Sequence, residues 1–230
     1  MIVDLLDKRI NTRCFSDKSI PDSVIKELLE VLNRIPAKEN QMPTEVYVLG
    51  QDALDEKNEL YVNTECSPNV FNPQVLAPLV FCFVEKEKMV DGNGITDVKI
   101  PKVWQTEIHR YYTGMALMAL SLSALEQGLS VGICQSQGLC HIWPDWKERG
   151  GAFTYNNEYK KVSLSLGIGY PEYESTSSRA RMPNKIAKNL KPDAVRRASL
   201  GETSRRPKLK NYVKIIGQDI TLPKTWQNRI

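Results

Sequence analysis

Apolar positions recur at helical spacing near the start of the chain, and Ile2 to Lys8 reads as a short helix. A stronger pattern follows in "IPDSVIKELLEVLNRIP". There Val24, Ile25, Leu28, Leu29, Leu32 and Ile35 fall on one side of a helix and predict a core-facing surface. Pro21, with its fixed φ, and Asp22, beside the first amides, favour initiation at that point. "TEVYVLG" (44–50) alternates with a period of two, as a strand does, and ends on glycine. Asp52 to Val62 reads as another helix, and the apolar run "VLAPLVFCFV" (Val75 to Val84) as a central buried strand. The polar stretch from Glu85 to Pro101, with its two glycines, predicts an exposed loop. Trp104 to Gln127 is the longest helical pattern, with Gly128 placed to close it. "KVSLSLGIGYP" (161–171) predicts a strand entering a Gly-Tyr-Pro turn. After Pro192 the pattern weakens into an arm that needs a surface to lie on.

The long helix has no polar side between Tyr111 and Leu125. A helix that is apolar all round must be buried all round. A subunit interface meets that need more easily than the core of a monomer. Gly114, Ala116, Ala119, Ser121 and Ser123 are small enough to let a second helix approach closely.

Composition changes this picture only in places. The 230 residues are enough to bury a core, and 41% hydrophobic with 25% charged residues is ordinary for a soluble globular protein. The longest apolar run is far shorter than a membrane span, and no basic-then-apolar leader opens the chain. The five cysteines form no CxxC pair and there are two histidines, so no metal site is read; the odd, irregular cysteine set fits the cytoplasm. The net +4 hides an asymmetry: Arg179 to Ile230 holds 14 basic against three acidic residues, leaving the remainder at −7. Aromatics do not interleave with those basic residues, which argues for solvated surface rather than a nucleic-acid platform. His109 reads as a partly exposed structural histidine, Cys140-His141 lacks an orienting third group, and Trp143 and Trp146 read as packing. The glycines Gly167 and Gly169 lack the third member of a dinucleotide fingerprint.

One short segment asks for chemistry. In "KRINTRCF" (8–15), Arg9 and Arg13 flank Asn11, and Phe15 closes the group. The two guanidinium groups are either solvated charges at a helix end or the holders of an anion. Three further segments decide between these when they are taken in order. They are "IPAKENQMP" (35–43), "ALEQGLSVGICQSQG" (124–138) and "LGIGYP" followed by "RAR" (166–181). Together the four resemble the nitroreductase family of FMN-dependent oxidoreductases over roughly residues 5 to 185. The match has Asn11 where serine is usual, Ala37 and Met42 in place of serine and glutamine, and Gln135 and Ser136 where glycines are common. Thr44 replaces an aromatic.

The resemblance implies an α+β, three-layer fold in which a central mixed sheet is flanked by helices. It also implies an intertwined homodimer with a C-terminal arm. Residues 1–192 would form the FMN-binding domain and 193–230 a basic extension on the partner subunit. FMN would be held by Arg9, Ile10 and Asn11 at the phosphate and ribityl end, with Arg179 and Arg181 closing from behind. Asn72 would bind the ring. Arg13 would be the cation at the N1 and C2-oxygen edge, and a backbone N–H of Gln135 or Ser136 would face N5. Pro36, Ala37, Lys38 and Asn40 would reach the partner's cofactor. NAD(P)H would be co-substrate and a nitroaromatic, quinone or similar small molecule the acceptor, in ping-pong order. A flavin-binding protein of the same fold without turnover, or a flavin-destructase or dehalogenase-like relative, is the alternative.

Overall fold

The computed structural model describes residues 2–9, 11–37, 42–64, 72–87, 101–135 and 151–172. The expected loop over 88–100, the C-terminal extension and the expected site residues Ile10, Lys38, Asn40, Ser136, Arg179 and Arg181 lie outside them. Helix α1 (Ile2–Lys8) is followed by α2 (Asp22–Asn33), strand β1 (Thr44–Leu49) and α3 (Leu54–Thr64). A 3-10 turn (Pro73–Leu76) leads into β2 (Leu79–Glu85), then α4 (Lys102–Glu126), β3 (Ser130–Cys134), β4 (Ala152–Tyr155) and β5 (Glu158–Gly169).

The fold is α+β in three layers. The sheet runs β1-β2-β5-β3, with β4 paired to the first half of β5. All its ladders are antiparallel, and the parallel contribution is a single bridge between Asn11 and Val131. Strand alternation sends Phe81, Phe83, Leu166, Ile168 and Val131 to one face, where Leu28 of α2 and Tyr112, Ala116, Leu120 and Ala124 of α4 cover them. The opposite face carries Val80, Cys82, Val84, Cys134 and Val162 against Leu60 of α3, Val75 of the 3-10 turn and Phe153 of β4. Each fully buried Leu or Phe contributes about 1.5–3 kcal/mol, so both layers hold the sheet firmly.

Several elements differ from the sequence pattern for local reasons. The run expected as one strand from Val75 breaks in two, because Pro73 and Pro78 cannot join a ladder and the chain turns before Leu79. Leu29, expected in the core, is 42% exposed on the outer flank of α2. Strand β5 begins earlier than expected, at the end of a hairpin whose Asn156 (φ 51°) and Asn157 (φ 61°) supply the two left-handed residues of a tight turn. Helix α4 ends as expected: Gly128 (φ 73°) lets its own N–H reach Leu125 O and that of Leu129 reach Ala124 O.

Within this chain α4 is not buried on every side. Its inner face carries Gln105, His109, Tyr112, Thr113, Ala116, Leu120, Ser121 and Ala124. The outer face leaves Val103, Trp104 and Tyr111 at 60% exposure or more, with Met115 and Met118 beside them. An apolar groove of about 360 Å³ runs along it. The inner seam is polar toward the N-terminus of α4. Thr44 Oγ1 lies 2.7 Å from His109 Nδ1, and His109 Nε2 lies 2.8 Å from Ser163 Oγ, which donates to Phe83 O. Ser163 is the extra residue of a bulge in β5, so His109 ties the helix to three strands in a structural role, but it is buried, not partly exposed as expected.

Candidate active site

The site is built on the outer edge of β3. The segment after α1 runs alongside it: Thr12 N–H donates to Val131 O at 2.8 Å. Ile133 N–H donates to Asn11 Oδ1 at 2.6 Å, and Asn11 Nδ2 reaches back to Ile133 O at 3.5 Å. The Asn11 amide therefore completes the strand edge. Because the Asn11–Val131 bridge is parallel, Arg9 lies toward the start of β3 and Arg13 toward its end. Farther on, Ser16 N–H donates to Tyr170 O and Glu172 N–H to Cys14 O, which laces the segment to the end of β5.

Arg13 is half-buried beside Cys134 and Cys14. Burial pulls its guanidinium below the ordinary value, with the two thiols opposing that shift. Arginine remains charged through such a shift, so a cation is held at the end of β3. Burial also pushes the Cys14 thiol up to about 11 and Cys82 higher still, and none of the described cysteines forms a disulfide. A thiol so shifted stays protonated at neutral pH, so neither Cys14 nor Cys82 is a reactive thiolate.

The 3-10 turn supplies two buried amides. Gln74, 1% exposed, donates through Nε2 to Ile133 O at 3.1 Å and to Asn72 Oδ1 at 3.2 Å. This leaves Asn72 Nδ2 and Gln74 Oε1 buried without a partner among the described residues. Each such group costs about 1–3 kcal/mol when it stays unpaired; Thr113 Oγ1 and Ser165 Oγ are in the same state. Asn72 was expected near the ring and Gln74 was not, although both polar residues of "NPQ" lie directly ahead of the apolar run.

Of the remaining expected residues, Gln135 follows the end of β3 and is exposed, opening on a cavity of about 1590 Å³ also lined by Thr113, Leu117 and Ser163. Pro36 is exposed, and Ala37 packs on the α2–α4 core. The structure thus brings Asn11 and the unforeseen Gln74 to the Ile133 carbonyl, with Asn72 bonded to Gln74 and Arg13 following Asn11 toward the end of β3. Among the described residues no group of three or more His, Cys, Asp or Glu side chains could hold a metal, and no helix is long and apolar enough to cross a membrane.

Neither a family model nor a curated protein matches the chain. Solved structures do. Nitroreductase A of Vibrio parahaemolyticus superposes with a TM-score of 0.57 at 13% identity, over 85% of this chain and 80% of that one. The fold is that of the nitroreductases. A Bacteroides fragilis nitroreductase with bound FMN gives 0.53 at 14% identity, over 80% of this chain and 95% of that one. A Bacillus subtilis nitroreductase gives 0.54 at 14%, over 86% and 79%. With so few identities the likeness lies in the arrangement of the strands and helices. The nitroreductase fold accounts for the three layers, and the site residues are argued from their own geometry.

Proposed function

We propose that this protein is an FMN-dependent oxidoreductase that uses NAD(P)H to reduce electron-poor acceptors such as nitroaromatics or quinones. The observation that carries the reading is the pair Asn72 Nδ2 and Gln74 Oε1, buried without a partner among the described residues. A flavin pyrimidine edge presents an imide N–H flanked by carbonyl oxygens, which complements one buried acceptor and one buried donor. The residues present fit the group. Bound FMN would supply hydride transfer through N5, in ping-pong order between nicotinamide and acceptor.

The chain's own contribution is binding and electrostatics. Gln74 Oε1 would accept from the imide and Asn72 Nδ2 would donate to a carbonyl oxygen. Arg13 would hold positive charge where reduction places negative charge. Arg9 would serve the phosphate end, with Arg179 and Arg181, and Asn11 would act by fixing the edge of β3. The backbone N–H of Gln135 or Ser136 would face the reactive edge, beside the cavity that Gln135 lines. The exposed apolar face of α4 supports a homodimer, because Val103, Trp104, Tyr111, Met115 and Met118 form a stripe that a second copy would cover. In that dimer Pro36, Ala37, Lys38 and Asn40 would reach the partner's FMN, and residues 193–230 would pack on the partner.

The test is an absorbance spectrum of purified protein reconstituted with FMN, followed by anaerobic NADH or NADPH and then acceptor. Flavin absorbance that bleaches with a nicotinamide and returns with acceptor is expected. Bound flavin that no nicotinamide bleaches would leave a binding protein without turnover, and no flavin after reconstitution would overturn the reading entirely.

A further inference from the structure

The glycines at 132 and 167 belong to no nucleotide motif, yet they lie under both segments that carry the site. They face each other across β3 and β5. A Cβ on Gly167 would stand 2.1 Å from the backbone oxygen of Gln74 and 2.9 Å from Ala77 Cβ. A Cβ on Gly132 would stand 2.1 Å from the backbone oxygen of Thr12 and 2.7 Å from Gln74 Cβ. The obstacles are mostly main chain, which cannot swing aside as a side-chain tip can. On the same face of β5, Ser165 continues the row of small residues below Gly167.

We propose that the Gly132–Gly167 pair is a positioning floor for the ligand: by letting the 3-10 turn and the segment around Thr12 rest on bare backbone, it sets how close Asn72, Gln74 and Arg13 come to the flavin's pyrimidine edge. The inference rests on the FMN reading above. The floor itself touches no ligand. It fixes the height of Gln74 against β3, where the 3.1 Å bond to Ile133 O holds the amide with its oxygen unspent. Raising the turn by the width of a methyl group would carry both orphaned atoms away together, and directional hydrogen bonds weaken steeply with such displacement.

Gly169 provides the internal comparison. Its Cβ would also be crowded, though less closely, by the Pro78 and Phe15 rings at 2.8 and 3.0 Å and not by the turn that carries the amides. Gly167→Ala, Gly132→Ala and Gly169→Ala should be compared for stability without ligand, for FMN affinity by fluorescence quenching, and for the infrared carbonyl frequencies of bound FMN. All three should lose stability. Gly167→Ala and Gly132→Ala should bind FMN about tenfold more weakly or worse, with shifted carbonyl bands. Gly169→Ala should retain wild-type affinity and bands. Equal affinity losses in all three variants, or unshifted bands in the first two, would overturn the proposal. So would failure of both Gly167→Ala and Gly132→Ala to fold, which would reduce the pair to a structural need. If the wild type itself takes up no FMN, the functional reading fails and the floor with it; FMN bound by the wild type and equally by all variants defeats the floor alone.

Discussion

Replacing Asn72 by leucine and Gln74 by methionine together should stabilise the ligand-free protein while weakening its hold on FMN. In the wild type, Asn72 Nδ2 and Gln74 Oε1 are each buried without a partner among the described residues, at about 1–3 kcal/mol apiece. The substitutions relieve both. They also remove the two bonds Gln74 makes, at 3.1 and 3.2 Å, worth about 0.5–1.5 kcal/mol each. Relief exceeds loss by about 1–3 kcal/mol, and the new side chains add apolar contact in a site that is at least 96% buried. FMN would lose two hydrogen bonds, which lowers affinity about five- to 150-fold. Urea unfolding of the apoprotein gives the first quantity and fluorescence titration the second. A variant about 2 kcal/mol less stable than wild type with unchanged FMN affinity would refute the argument. The amides would then be a structural network and not a waiting site.

Arg9→Ala should weaken FMN binding about ten- to hundredfold, the worth of a charge-assisted phosphate contact. Arg13→Ala should retain more flavin and lower its reduction potential, each 30 mV corresponding to about 1.4 kcal/mol; equal affinity losses with unchanged potentials would put both arginines on the phosphate. Met115→Lys should shift the protein from dimer to monomer in sedimentation, because it charges the exposed stripe of α4, and a wild-type monomer that keeps FMN would contradict the shared site. Lys57, 3% exposed and donating to Pro78 O at 3.0 Å, is drawn by burial down to about 8, below its unfolded value. The folded state therefore binds fewer protons, and stability should rise by about 2–4 kcal/mol as pH climbs from about 8 past 10. Urea midpoints of Lys57→Met against wild type isolate that slope from the opposite effect of Cys14. Burial likewise holds His109 below its ordinary value, so the stability it lends should be full above about pH 6.5 and fall with acid. His109→Gln should flatten that acid limb in thermal melts.

The parts of the fold legible in the sequence are those whose signal is long or chemically marked. Helix α2 and strand β1 declare their periods, and Gly128 marks the end of α4. The 3-10 turn was hidden because Pro78 sits inside a run, Val75 to Val84, whose hydrophobicity alone resembles a strand. The β4–β5 hairpin was marked by Asn156-Asn157, a turn signal that was simply not used. The site was harder to read for a physical reason. The resemblance offered Arg13 and Asn72 as candidates, whereas Gln74 enters only because the turn lands on β3 beside Ile133, a contact between residues 59 positions apart. Asn11 shows the same limit, since its amide serves the Ile133 backbone 122 positions away. The apolar outer face of α4 was legible as a need for burial, while its polar inner seam around His109 follows from the bulge at Ser163.

The claim that two buried amides read the flavin imide is tested most directly by comparing FMN with its N3-methyl derivative. Methylation removes the N–H that Gln74 Oε1 would accept and leaves phosphate, ribityl chain and ring otherwise intact. Wild-type protein should bind FMN with one flavin per chain and the N3-methyl form at least about tenfold more weakly. In the Asn72→Leu, Gln74→Met double variant that difference should vanish. Equal binding of the two flavins by the wild type, or binding of neither, would contradict it.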